Sequence, residues 1–278
     1  MRRFRSMLIA SAAALLCLGL TTPAALAGPE PPATDGGAST MIIGGEEATE
    51  PYSFMVSLHD KIEGQHVCGA SLIDAEWVVT ASHCVDFGTK PEDLQLRIGS
   101  LRKSEGGSVR GAERIVLHPE ADPAHFDIAL IHLDQPVSNA PVAVDARQPA
   151  GTPVRMLGWG CTKVSTPMWG CPAEGKPEVL RQLDSGIRDS GACVNVKAPI
   201  EPDSELCTGN PETDAGACFG DSGGPLLRST AGGWRLLGAF SRVEIVSDGH
   251  TPDCSTGMGI YTDVTVHREW MESVISGA

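Results

Sequence analysis

Beyond residue 42 the chain alternates short apolar or β-branched runs with clusters of Gly, Pro, Asp and Ser. The runs are "FMVSLHD", "SLIDAEWVVTA", "LQLRIGSL", "RIVLHP", "IALIHL", "VRMLGWG", "WRLLGAFSRV" and "GIYTDV". They read as strands, and a chain with 32 Gly and 20 Pro in all has ample material for the turns between them. Helical spacing shows only near the C-terminus, where "DVTVHREWMESVISGA" sets Val264, Trp270, Met271 and Val274 on one face. The pattern predicts an all-β chain that ends in one helix.

The first residues follow another pattern. Arg2, Arg3 and Arg5 precede an apolar run, and Ala25-Leu26-Ala27 forms a small-x-small cleavage site, so residues 1–27 read as a secretory signal peptide. Charged and polar residues follow it directly, which argues against a membrane span. The Arg2-Arg3 pair leaves both the general and the twin-arginine export routes open. The next stretch, "GPEPPATDGGASTM" from Gly28 to Met41, has nothing to bury and is expected to be disordered. No other apolar run is long enough to cross a membrane.

Charge and cysteines narrow the function classes. Once the three arginines and two acids of the first 41 residues are set aside, 18 basic and 33 acidic side chains remain. So acidic a chain is a poor partner for nucleic acid or an anionic membrane. Nine cysteines include Cys17 of the signal; the other eight form an even set in an exported chain, the mark of a disulfide framework in an oxidising compartment. None has the CxxC spacing of a zinc site, and no metal or other cofactor is expected. Arg outnumbers Lys and the signal is Ala-rich, as in chains from GC-rich bacterial genomes.

The stretch "CFGDSGGP", Cys218 to Pro225, places an acid directly before a serine among three glycines. By itself Asp-Ser-Gly is turn chemistry. A serine hydroxyl becomes a useful nucleophile only beside a base that a third group orients. Two other segments offer those groups in unusual settings. "WVVTASHCV" puts His83 at the end of a very apolar strand, and "HFDIALIHL" puts Asp127 in another, where a lone acid is costly unless something pairs with it. Taken singly, His83 reads equally as a satisfied core histidine and Asp127 as a cap.

Together with "IIGGEEA", "HVCGASLI", "TASHC", "DIAL", "GWG" and "GIYTDV", in this order, these segments resemble the landmarks of the chymotrypsin-type (trypsin-like) serine proteases across nearly all of residues 42–278. The resemblance implies two packed six-stranded antiparallel β-barrels with a C-terminal helix and an active site between the barrels. It implies a secreted serine endopeptidase with Ser222 as nucleophile, His83 as general base and then acid, and Asp127 as the group that orients His83. Backbone N–H groups of Gly220 and Ser222 would form the oxyanion hole. Residues 28–41 become a pro-segment: cleavage after Met41 frees the amino group of Ile42, which pairs with Asp221. Because Met41 is neither Lys nor Arg, another protease is the expected activator. The implied disulfides are Cys68–Cys84, Cys193–Cys207 and Cys218–Cys254, which leave Cys161 and Cys171 to each other. The expected partners are a protein or peptide substrate, the activating protease and a protein inhibitor, and the expected state is a monomer.

The chain departs from the family pattern at the substrate pocket, assigned to Gly216, Ala217, Phe219, Ser241, Val243 and Gly259. The base, Gly216 and Ala217, carries no acid, so a preference for Arg or Lys is not expected. Val243 stands where a glycine is usual and should narrow the pocket, while Gly259 leaves the opposite wall open. Small or medium apolar residues are the expected preference at P1. The segment from Ser241 to Cys254 is long for the family. After "LRIGSL" only Glu105 is acidic, too little for a calcium loop. The alternative is a non-catalytic or narrowly specific binding or regulatory protein on the same scaffold; such relatives generally lose a triad residue, and all three are present here.

Overall fold

The computed structural model describes residues 42–86, 88–122, 124–163, 171–246 and 254–277. The signal (1–27), the pro-segment (28–41) and residues 247–253 of the long segment lie outside them. In chain order the strands are β1 (Glu46–Glu47), β2 (Met55–Asp60), β3 (Gln65–Leu72), β4 (Trp77–Thr80), β5 (Leu94–Ile98), β6 (Ser108–Leu117) and β7 (Ala129–Leu133). They continue as β8 (Ala143–Val144), β9 (Pro153–Gly158), β10 (Arg181–Arg188), β11 (Glu205–Gly209), β12 (Pro225–Thr230), β13 (Gly233–Val243) and β14 (Met258–Asp263). One helix, α1 (Arg268–Ser276), follows.

These strands close two six-stranded antiparallel barrels. The first runs β2-β3-β4-β7-β6-β5 and closes through β5 on β2. The second runs β10-β11-β14-β13-β12-β9 and closes through β9 on β10. β1 adds to the edge at β10, and β8 lies parallel to β13. Alternation explains strands such as β5, where Leu94, Leu96 and Ile98 point inward while Gln95 and Arg97 do not. β4 is buried throughout, because β3 and β7 flank it and the second barrel covers its end.

Three strands carry weaker patterns than the sequence reading used. β10, β11 and β12 interleave polar residues with few large apolar ones, and their pairing partners define them. "SLIDAEWVVTA" is divided between two strands by a turn at Asp74, whose carboxylate accepts Glu76 N–H (3.1 Å). α1 begins after Val264, which sits in the preceding turn; Met271 is buried, with Trp270 and Val274 packed beside it against a core cluster drawn from both barrels. All four disulfides join the pairs named above, and Cys161–Cys171 spans residues outside the described set.

The barrels meet where glycines allow backbone contact. A Cβ on Gly69 of β3 would lie 2.8 Å from Gly224 Cα, and one on Gly223 would lie 2.1 Å from Thr80 Oγ1 and 2.4 Å from Gly69 O. Gly69 N–H also donates to Ser222 O at 2.7 Å. The end of β4 and the turn after Ser222 are thereby held against each other, which fixes the spacing of the two groups they carry. An interior strand Gly replaced by Ala ordinarily gains about 0.5–1 kcal/mol. Gly69→Ala should do the reverse and cost about 1–3 kcal/mol, because the clash is with backbone that has nowhere to move. Thermal or urea unfolding measures this; a stabilised Gly69→Ala protein would show that the barrels are not in such close contact.

Candidate active site

His83 sits on a single 3-10 turn, Ser82–Cys84, directly after β4. The Cys68–Cys84 bridge ties this turn back to β3. Asp127 lies just before β7 and is fully buried. Its carboxylate accepts four hydrogen bonds. Oδ2 takes His83 Nδ1–H and Ser241 Oγ–H, both at 2.7 Å, and Oδ1 takes Ser82 Oγ–H at 2.8 Å and His83 N–H at 2.9 Å. Burial opposes the charge on Asp127, but the bonds from His83 and Ser241 outweigh it and hold the carboxyl below its ordinary range. For His83 burial disfavours the proton, and the bond to Asp127 reverses this, leaving the imidazole more basic than usual. With Nδ1 committed to Asp127, Nε2 is the nitrogen left for other chemistry.

A cavity of about 260 Å³ lies beside this pair. His83 and Ser222 both line it, so the structure brings the first barrel's imidazole and the second barrel's hydroxyl to one cleft. Phe219, Ser241 and Val243 of the expected pocket line it as well, together with Cys218, Phe240 and Arg242. Gly216, Ala217 and Gly259 do not. Gly216 pairs with Ile43 instead, and Gly259 is not an open wall: a Cβ there would lie 2.9 Å from the ring of Phe240. Among the described residues the lining holds two cations, Arg242 and Lys197, and no carboxylate.

The glycines around Ser222 have separate physical roles. Gly220 adopts φ 91°, in the left-handed region that suits glycine. The carbonyl of Phe219 accepts Cys161 N–H at 2.7 Å. Because the peptide is planar and trans, this fixes Gly220 N–H on the opposite side. The Gly220 carbonyl accepts a bond from His66 Nε2 at 3.0 Å. A carbonyl only accepts, so His66 carries its proton on Nε2 and takes the Ser57 hydroxyl on Nδ1 (2.7 Å); Ser57 in turn accepts from His59 Nε2 (2.9 Å). Removal from water holds both imidazoles below their ordinary pKa. This chain of groups behind the serine turn was not singled out in the sequence, although His66 stands inside the landmark "HVCGASLI".

Asp221 is buried and accepts Gly160 N–H (2.8 Å) and Cys218 N–H (2.9 Å). Burial raises its pKa to about 7 despite these bonds. The glycines of "GWG" make the space: a Cβ on Gly158 or Gly160 would lie 1.9 or 2.3 Å from the carboxylate group. Ile42 is fully buried in the second barrel's core, and Ile43 O accepts Gly216 N–H at 2.9 Å. In the uncut chain Ile42 N is an amide, and the residue takes φ 41°, a strained conformation for a β-branched side chain. Arg242 of the wall segment reaches from the cavity to a bidentate pair with buried Glu205 (2.5 and 2.8 Å), a partner that the sequence does not signal. Among the described residues the one close cluster of metal-ligating types is Cys68, His83 and Cys84, whose sulfurs are joined to each other.

A model of the Trypsin family matches residues 42–271. Transmembrane protease serine 9 of Rattus norvegicus is 33% identical over 251 residues, which are 85% of this chain and 22% of that protein. Mannan-binding lectin serine protease 1 of Homo sapiens is 30% identical over 259 residues, 82% of this chain and 34% of that protein. A trypsin of Saccharopolyspora erythraea is 30% identical over 247 residues, 85% of this chain and all of that protein. This chain thus spans far less than the full length of the first two.

The Asp221 environment yields a pH test. In the uncut chain the folded carboxyl keeps its proton up to about pH 7, whereas the unfolded one loses it near 3.8. Between these values the folded state binds the extra proton, so its contribution to stability falls as pH rises. The loss is on the order of 4 kcal/mol across the window. Denaturant unfolding from pH 4 to 8, on the chain from Gly28 carrying Ser222→Ala, should show this slope. Adding Asp221→Asn should flatten it, whatever constant offset the amide introduces. Parallel curves with and without Asp221→Asn would sink the reading.

Proposed function

Because the chain belongs to the trypsin family of serine proteases, and is a serine endopeptidase, we propose that it hydrolyses peptide bonds through Ser222, His83 and Asp127. Ser222 Oγ attacks the scissile carbonyl as its proton passes to His83 Nε2; the same proton then goes to the departing amine, leaving an acyl-enzyme. Water, deprotonated by His83, attacks the ester and restores Ser222. Asp127 keeps the imidazole in the Nδ1–H tautomer and balances the imidazolium. The observation that carries the proposal is the 2.7 Å bond from His83 Nδ1 to a buried Asp127, with His83 and Ser222 on one cavity.

Gly220 and Ser222 N–H groups serve as the oxyanion hole, a contribution of roughly 2.7–4 kcal/mol per donor. The fixed Phe219–Gly220 peptide supports this. At P1 the cavity accepts small or medium apolar side chains: Val243, Phe219 and Phe240 line it, and among the described residues it offers no acid to a Lys or Arg.

Activation follows from Asp221. Its burial without a cation favours the neutral acid in the uncut chain. Cleavage after Met41 converts the Ile42 amide into an ammonium and removes its strained φ. The new charge pairs with Asp221, and breaking such a buried pair costs about 3–5 kcal/mol. Since Met41 is neither Lys nor Arg, the trypsin-like route of self-cleavage does not apply, and a separate protease is the activator. The chain is secreted and acts as a monomer on protein substrates, with a protein inhibitor as its natural brake. No helix among the described residues is long and apolar enough to cross a membrane.

Ser222→Ala in protein cut to begin at Ile42 should leave the fold intact and less than about a hundredth of wild-type kcat. A purified variant that retains more would remove Ser222 from the mechanism. For activation, protein verified to begin at Ile42 is compared with the same chain bearing one extra residue. The extended form should be nearly inactive, and equal activity would reject the Ile42–Asp221 pair while leaving the triad standing.

A further inference from the structure

The ring of Phe240 fills the space that Gly259 would otherwise leave open. A Cβ on Gly259 would lie 2.9 Å from Phe240 Cε2, so the ring rests directly on that glycine. The ring centroid is 5.1 Å from that of Tyr261, and Phe240 is only 2% exposed. Phe240 lines the cavity together with Cys218, Phe219 and Val243. Gly216, Ala217 and Gly259, the residues expected to form the base and far wall, do not line the cavity.

The ring is also fixed relative to the nucleophile. Phe240 N–H donates to Gly224 O at 2.9 Å, and Phe240 O accepts Gly223 N–H at 2.7 Å. Both backbone groups therefore grip the turn that carries Ser222. A rigid ring held in this way acts as a floor and cannot swing aside for a larger side chain without losing its packing on Tyr261 and Gly259.

We propose that Phe240 is the specificity-determining residue that sets the depth of the P1 site, and that Val243 only narrows its mouth. The inference rests on the reading of this cavity as the P1 site. It leads to an asymmetric expectation. Widening the mouth by Val243→Gly leaves the floor in place, so aromatic P1 side chains still do not fit. Lowering the floor by Phe240→Val creates room of about the size of the ring removed.

The test is kcat/KM on peptides that differ only at P1 (Ala, Val, Leu, Phe or Tyr), for the wild type, Val243→Gly, Phe240→Val, Phe240→Leu and the double variant Val243→Gly/Phe240→Val. Each protein is checked for a cooperative melt. Val243→Gly alone should change the Phe-to-Ala ratio of kcat/KM by less than about threefold. Phe240→Val should raise it by about tenfold or more, the size of effect that one or two methylenes produce in an apolar pocket. The double variant should rise further than Phe240→Val. If Phe240→Val does not fold, Phe240→Leu takes its place, with a rise beyond about threefold expected. Phe240 loses its role if Val243→Gly raises the ratio as much as Phe240→Val does, or if the folded Phe240 variants keep the wild-type ratio. A wild type that already cleaves best after Phe, Tyr, Lys or Arg would instead reject the P1 reading itself, and the floor with it.

Discussion

One buried carboxylate organises the cleft. Asp127 has no contact with water and survives as an anion because four donors converge on it, two of them from His83. Those donors come from both halves of the molecule: Ser82 and His83 from the turn after β4, and Ser241 from β13 of the second barrel. A charge in that position is tolerable only when every lone pair has a partner. The barrels cannot shift relative to each other there without leaving Asp127 unsatisfied, so the requirement of one acid holds the His83 imidazole in position on a cleft shared by the two barrels.

Close backbone approach is the second constraint. Glycines at 69, 223 and 224 let β3, β4 and the Ser222 turn touch, and glycines at 158 and 160 give Asp221 its enclosure. None of these contacts contributes much apolar burial. Their effect is geometric, since the imidazole and hydroxyl ride on segments locked by sterics rather than by flexible side chains. The same economy appears at the cavity, where bonds from the Ser222 turn to Phe240 hold both the serine and the cavity lining.

The fold class, both barrels and the four disulfide pairs were legible because landmark segments keep their order and because strands such as β5 and β7 alternate or bury strongly. β10 to β12 were hidden because mixed side chains reveal a strand only through its partners. The site was legible where an unusual residue stood in an apolar setting, as with His83 and Asp127. It was not legible where the meaning of a residue depends on something distant in sequence. Gly259 looked like an open wall, and only the fold brings Phe240 onto it. Arg242 gave no hint of its buried partner Glu205, and His59, Ser57 and His66 form a relay only once β2 and β3 pair.

The account stands or falls on whether Asp127 and His83 activate Ser222. The direct measurement is labelling by a serine-reactive phosphonate of protein verified to begin at Ile42, with the adduct located by mass spectrometry and its rate of formation compared with that of an Asp127→Asn variant. The account predicts one adduct per folded molecule, on Ser222, formed slower by several orders of magnitude in the variant because the imidazole loses its tautomer and orientation. Folded, correctly begun protein that takes no label on Ser222, or an Asp127→Asn protein labelled at the wild-type rate, would contradict it.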